Sequence, residues 1–212
     1  MKSHRLGLFA ALALGAAACF AAASHAAAPE ETPSFLKPAR AVLDKPVMDF
    51  KLRDVMHDLK PDEKEADADI SLASFKGKKN VVLFFMSEKC SVTWRYEKRV
   101  GQMLKDYAKK DIVFLGVRSS ANDTPESIRK FAEAKNFAMP VLDDVNNRMA
   151  DYYKVRVTPT FVVIDKKGVM RYFGSFDDAP DEPNVKSRYL PDAVAAVLAD
   201  KVVSVKETKP FG

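Results

Sequence analysis

Two short runs built of core-type residues, Val81-Val82-Leu83-Phe84-Phe85-Met86 and Ile112-Val113-Phe114-Leu115-Gly116-Val117, flank one helix-length stretch. A strand that is apolar at every position, not at alternate ones, needs cover on both faces, and two such strands joined through a helix pair in parallel by a crossover. The intervening residues fit that role. From Val92 to Lys109, the residues Val92, Tyr96, Val100, Met103, Leu104 and Tyr107 recur at three- and four-residue steps, the stripe of a helix lying on a sheet. The chain is thereby constrained to an α/β fold, with a central mixed sheet flanked by helices.

The mixed character comes from the second half. Thr124 can cap a helix that has Pro125 at its first position and Ile128, Phe131 and Ala132 on its inner side. A short helix from about Asn146 to Tyr153 follows the Asp143-Asp144 turn. Two β-rich runs on either side of Asp165-Lys166-Lys167-Gly168 make an antiparallel hairpin, and a last helix spans Leu190 to Leu198. Upstream, Asp49 to Val55 alternates apolar with charged residues as an edge strand does. Lys60 to Asp69 reads as a charged loop, and its Asp67-Ala68-Asp69 lacks the glycine-turned ligand series of a calcium site. The acidic stretch from Asp177 to Pro183 reads as a solvated connection.

The 212-residue chain opens with Lys2 and Arg5, an apolar run from Leu6 to Ala23, and the small residues Ser24-His25-Ala26. Residues 1–26 are expected to be a secretory signal peptide and 27–43 a disordered leader. Residues 44–207 form the folded domain, with 208–212 a C-terminal tail. The expected location is periplasmic or secreted. No second apolar stretch of spanning length follows the signal, so no stable membrane insertion is expected. Cys19 lacks the bulky aliphatic residue that precedes a lipidated cysteine, so an anchor there is the less favoured reading. The net charge of +5 falls to about +3 without Lys2 and Arg5, and no basic stripe interleaves with aromatics, which leaves nucleic-acid binding without support. Beyond residue 26, His57 is the one histidine and no metal or haem motif is present; no cofactor is expected.

Only one cysteine, Cys90, follows the signal, so an internal disulfide is not expected. It stands where the first apolar run gives way to the helix, in Ser87-Glu88-Lys89-Cys90-Ser91-Val92-Thr93-Trp94. The unpaired N–H groups and positive end of a helix favour thiolate over thiol. With Lys89 beside it and Glu88 opposing, the thiol pKa is expected to fall from about 8.5 to about 6–7. The competing reading is a buried, inert free cysteine. Trp94, four residues on, either flanks a substrate groove or belongs to the core.

Strand, Cys-led helix, strand, helix, hairpin and terminal helix is an order that resembles the thioredoxin-like redoxins, the family of thiol–disulfide oxidoreductases and peroxiredoxin-like (AhpC/TSA) proteins, and in particular their exported members. The residues that carry the resemblance are Lys76-Gly77-Lys78, Phe85 to Cys90, Tyr96, Tyr153-Lys154-Val155, Val157-Thr158-Pro159-Thr160, Ile164-Asp165 and Gly168. It implies a thioredoxin-like fold with Cys90 catalytic. It further implies a cis bond before Pro159 and a Thr158 that offers its backbone N–H and C=O to an incoming peptide or mixed disulfide. An ordinary trans proline at the start of a strand is the alternative. The departure from the dithiol pattern is Thr93, which stands where a resolving cysteine would be, so release of a mixed disulfide requires an external thiol reductant. The implied partners are protein or small-molecule thiols and disulfides. Ser87, three residues before Cys90, matches the hydroxyl that helps bind peroxide in one-cysteine peroxidases, although the arginine and proline of that pattern are missing. A non-catalytic binding module that keeps the groove is the third reading.

Overall fold

The alternating stretch upstream forms β1 (Lys51–Arg53), which pairs antiparallel with β2 (Asp69–Ser71) as a small separate sheet. These and the elements below come from a computed structural model that describes residues 40–212. The segment 1–26 expected to be a signal, its Cys19, and residues 27–39 of the expected leader lie outside the described residues. The first apolar run is β3 (Asn80–Met86), in which every residue is buried. A helical stretch follows as α1 (Ser91–Arg95) and α2 (Glu97–Tyr107), then β4 (Ile112–Arg118) parallel to β3. Next come α3 (Pro125–Ala134), β5 (Val141–Asp143), α4 (Arg148–Tyr153), β6 (Thr160–Ile164), β7 (Met170–Gly174) and α5 (Tyr189–Leu198). The main sheet runs β5-β4-β3-β6-β7, with β5, β4 and β3 parallel and β6 and β7 antiparallel.

Alternation along β3 explains the two core layers. Val82, Phe84 and Met86 point to one face, where Tyr96, Val100, Met103, Ile128, Phe131, Leu190 and Val194 cover them. Val81, Leu83 and Phe85 point to the other, against Phe50, Leu72, Leu115, Met149 and Tyr153. Burial of both faces is why β3 carries no alternating polar residue.

Four details differ from the expectations. The helix from Val92 is broken at Tyr96, whose φ of −88° and ψ of −5° close a tighter turn, with its N–H donating to Thr93 O at 3.2 Å. The break seats the Tyr96 ring, which is fully buried, with its hydroxyl 3.3 Å from Asp177. Asp177 itself is not part of a solvated connection: it is 1% exposed and ion-paired with Arg99. β5 was not anticipated because three residues after Pro140 are too few to show a period. Finally, residues 40–43 are not a free spacer, since Ala41 donates its N–H to Tyr152 O at 3.0 Å and Ala41 and Leu43 pack on the second core layer.

The N-terminus of α3 is built as its sequence predicts. Thr124 Oγ1 accepts from Ser127 N–H at 3.0 Å while Ser127 Oγ accepts from Thr124 N–H at 2.9 Å. Thr124→Ala is expected to lower stability by about 1 kcal/mol, read as a reduced urea midpoint at unchanged slope.

Candidate functional site

Antiparallel pairing of β3 with β6 brings the site together. The C-terminal end of β3 lies beside the N-terminal end of β6, with Phe85 opposite Thr160, and the stacked rings of Phe84 and Phe161, 4.7 Å apart, fix the register. Whatever follows Met86 must therefore meet whatever precedes Thr160. On one side that is Cys90; on the other it is Thr158-Pro159, whose peptide bond is cis.

The segment from Ser87 to Cys90 is a turn tied to its own backbone. Cys90 donates its N–H to Ser87 O at 3.3 Å, Lys89 donates its N–H to Ser87 Oγ at 3.2 Å, and Trp94 Nε1 donates to Glu88 O at 2.8 Å. Cys90 leaves this turn with φ −88° and ψ 111°, as the N-cap of α1. An N-cap side chain faces the N–H groups of the second and third helical residues, here Val92 and Thr93. The Cys90 side chain makes no capping hydrogen bond in this state and turns to the Thr158 carbonyl instead. Cys90 is partly exposed, and its Sγ donates to Thr158 O at 2.9 Å.

Two sets of contacts act on the sulfur, and they suit different protonation states. A carbonyl oxygen can accept only from the thiol, so the bond to Thr158 O belongs to the protonated form. Partial burial likewise pushes the thiol pKa up. Against this, hydrogen bonds from the Thr158 side chain, the Thr93 N–H and hydroxyl, and the Val92 N–H favour the thiolate, and the net result lies below the ordinary thiol value. The direction agrees with the sequence-based expectation, and the helix-start N–H groups of Val92 and Thr93 are part of the cause as expected; Lys89 is the part that differs. Lys89, read there as a contributor, pairs with Glu88 at 3.0 Å and is absent from the groups acting on the sulfur.

Thr93 is fully buried, and its Oγ1 has no hydrogen-bond partner while the thiol is protonated. It is a donor held ready beside the sulfur. Thr160, also fully buried, ties the bend by donating from Oγ1 to Val157 O at 2.7 Å. Trp94 is not core: it is 52% exposed, its ring lying beside the 88–90 turn with Lys135 Nζ 5.6 Å from the ring centre. Ser87 is buried, and its hydroxyl oxygen accepts from Lys89 N–H at 3.2 Å. Arg156, near the bend in sequence, is exposed and paired with Asp151 at 3.1 Å. The peroxide-binding hydroxyl expected of Ser87 is therefore committed to the turn. His57 accompanies Glu63 at 2.9 Å, in the charged loop.

Two participants escaped the sequence reading. Asp123, buried in the loop before α3, accepts from Glu88 N–H at 3.3 Å and so anchors the turn that carries Cys90; burial lifts its carboxyl above the usual range. Nothing in the polar stretch Ser119 to Thr124 marks this aspartate among its neighbours. The other is the C-terminal segment, which reaches the bend from the far side: a Cβ placed on Gly212 would stand 2.9 Å from Thr158 O and 2.5 Å from Val157 Cβ.

A partly exposed cysteine at a helix start, facing a Thr-Pro bend across a mixed sheet, is the arrangement of a thioredoxin-like redoxin. The AhpC/TSA family model matches residues 43–173, and the chain belongs to that family. Thioredoxin-like protein YneN of Bacillus subtilis (strain 168) is 33% identical over 101 residues, which span 48% of this chain and 58% of that protein. The crystal structure of a hypothetical protein from Sinorhizobium meliloti 1021 superposes with a TM-score of 0.69 at 24% identity, covering 82% of this chain and 93% of that one. A putative thiol:disulfide interchange protein DsbE from Chlorobium tepidum gives a TM-score of 0.56 at 18% identity, over 74% of this chain and 99% of that one. At those identities the structural likeness speaks for the fold, which is thioredoxin-like. Among the described residues, no helix is long and apolar enough to cross a membrane.

Proposed function

We propose that this protein is an exported thiol–disulfide exchange protein that works through Cys90 alone. The observation that carries the reading is the sulfur's position: partly exposed, at a helix start, 2.9 Å from the carbonyl of Thr158, with its pKa below the ordinary thiol value. The thiolate attacks one sulfur of a disulfide; the S–S bond breaks, and the departing thiolate leaves with the bonding electron pair. The protein then holds a mixed disulfide. Thr93, in the position of a second cysteine, offers no sulfur to release it, so an external thiol attacks next, forms a new disulfide with the substrate sulfur and returns Cys90 as thiolate. Atoms and electrons balance over the two exchanges, and no cofactor is required.

Thr158 and Pro159 position the incoming group in this reading, and Trp94 supplies an exposed apolar face beside the sulfur. The signal-like pattern of residues 1–26, with Lys2 and Arg5 before an apolar run that ends in Ser24-His25-Ala26, supports export. The test is mass spectrometry of the protein recovered from its producing cells under acid quench, comparing wild type with Cys90→Ser. Adducts that disappear on treatment with a thiol are expected on the wild type and not on the variant. An unmodified Cys90 that also reacts with added small disulfides no faster than a free thiol would refute the proposal.

A further inference from the structure

Residues 206–212 do not hang free of the domain. Phe173 donates its N–H to Lys206 O at 2.9 Å and Thr208 returns its own N–H to Phe173 O at 3.0 Å, so the segment runs beside β7 as an added, parallel piece of sheet. Thr208 Oγ1 is the lock, accepting from Ser175 N–H at 2.9 Å and meeting Tyr172 Oη at 2.8 Å and Ser175 Oγ at 3.1 Å. Gly174 makes the approach possible: a Cβ there would stand 2.9 Å from Thr208 N and 2.8 Å from Thr208 O, so any side chain would push the segment off. Phe211 then packs on the core layer that contains Tyr96 and Phe161. The segment reaches the bend at Gly212, which lies so close that a Cβ on it would stand 2.9 Å from the carbonyl oxygen of Thr158, the atom that also receives the Cys90 thiol, and 2.5 Å from Val157 Cβ.

We propose that residues 206–212 are a specificity strap: with Gly212 set against the Val157 side chain and the Thr158 carbonyl, they deny that carbonyl to an extended polypeptide and leave Cys90 open to small thiols and disulfides. The inference rests on the thiol-exchange reading above. It follows from competition for one surface. A polypeptide docking by strand addition needs the free N–H and C=O of the residue it pairs with. A small disulfide needs only a clear line to the sulfur. With the strap docked, a polypeptide substrate reacts only through the fraction of molecules in which residue 212 has lifted away.

The test uses two probes with the same leaving group, so that only the size of the incoming partner differs. One is 2-hydroxyethyl disulfide; the other is an unstructured peptide whose single cysteine is disulfide-bonded to 2-mercaptoethanol. In the counted exchange the Cys90 thiolate releases 2-mercaptoethanol from either probe and keeps a hydroxyethylthio group from the first or the whole peptide from the second; the two adducts are told apart by mass, and a hydroxyethylthio adduct formed from the peptide probe, which releases peptide thiolate, is counted separately. The full-length double variant Thr208→Ala, Phe211→Ser removes the lock and the anchor, and loss of hydrogen-exchange protection at the residue 208 amide reports that the strap has lifted. Should that amide stay protected, the chain shortened to Val205 replaces the variant, with circular dichroism as the check on folding. Lifting the strap is expected to speed the peptide reaction about tenfold or more while changing the small-disulfide rate by less than about twofold. An unchanged peptide rate beside a fast small-disulfide rate overturns the strap and leaves the exchange reading standing. An equal rise for both probes overturns it too, since the segment would then be a general cover. Failure of both probes to outpace a free thiol overturns the exchange reading itself, and the strap with it.

Discussion

Arg99→Met is expected to lower the stability of the fold by about 3–5 kcal/mol, read from urea denaturation. The Arg99 and Asp177 side chains are 8% and 2% exposed, and they form an ion pair inside the layer that seats Tyr96. Arg99 also donates to the carbonyls of Ala179 and Pro180, and its guanidinium lies 4.0 Å from the centre of the Tyr96 ring. Met fills similar volume but leaves the carboxylate of Asp177 buried with only the Tyr96 hydroxyl, 3.3 Å away, to partner it. The cost is that of a stranded charge, not of a missing attraction. Two consequences separate these causes. The double variant Arg99→Met, Asp177→Leu is expected to regain most of the loss, because an apolar pair of matching size has no charge to desolvate. The deficit of the single variant is also expected to shrink as pH falls through the carboxylate range, since burial already lifts the Asp177 carboxyl above its ordinary value and a protonated Asp177 is cheaper to bury. A single-variant loss below about 1 kcal/mol, the range of a surface pair, would show the site to be hydrated after all.

That ion pair also marks where the sequence stops being legible. β3, β4 and β6 stand out because a strand covered on both faces is apolar almost throughout, and few other structures ask for that, while β7, which alternates buried with partly exposed residues, is marked by the turn before it. Cys90 stands out for the same reason, as the sole thiol after Cys19, placed just beyond such a strand. The contact between Cys90 and Thr158, 68 positions apart, follows once β6 is placed antiparallel beside β3. Asp177 is another matter. It sits among Asp178, Asp181 and Glu182, and only tertiary packing decides that one carboxylate of the group turns inward to Arg99 while the others stay at the surface. Trp94 shows the converse: a large apolar ring on an apolar-rich helix is held outside because its Nε1 finds a carbonyl in the turn next to the sulfur. The docking of the C-terminal segment depends on Gly174 leaving room for the Thr208 backbone, a fit between two backbones that leaves no periodic mark in either stretch. The same holds for the break at Tyr96, since the stripe of apolar residues continues through it unchanged.

Thr93→Val is expected to move reactivity and stability in opposite directions. Val has nearly the shape of Thr without the hydroxyl, and in the thiol state that hydroxyl is buried with no partner, so losing it is expected to leave the protein as stable as wild type or more stable by about 1 kcal/mol at pH values below the folded thiol's pKa. The thiolate, however, loses one of the donors that hold its pKa down. The pH midpoint of Cys90 alkylation by iodoacetamide is therefore expected to rise in the Val variant and to stay near the wild-type value in Thr93→Ser, which keeps the donor. The pH dependence of stability has a definite sign. A thiol whose folded pKa lies below its unfolded value contributes stability that is complete above the unfolded pKa, about 8.5, and is lost as pH falls through the folded value. The stability gained by removing the hydroxyl should accordingly dwindle, and can reverse, as pH rises from the folded wild-type thiol's pKa to the higher one of the Val variant, with no further change above both. A purely structural Thr93 would show neither the shifted midpoint nor the pH-dependent crossover, and a Val variant that alkylates with the wild-type pH profile would remove Thr93 from the set of groups that stabilise the thiolate.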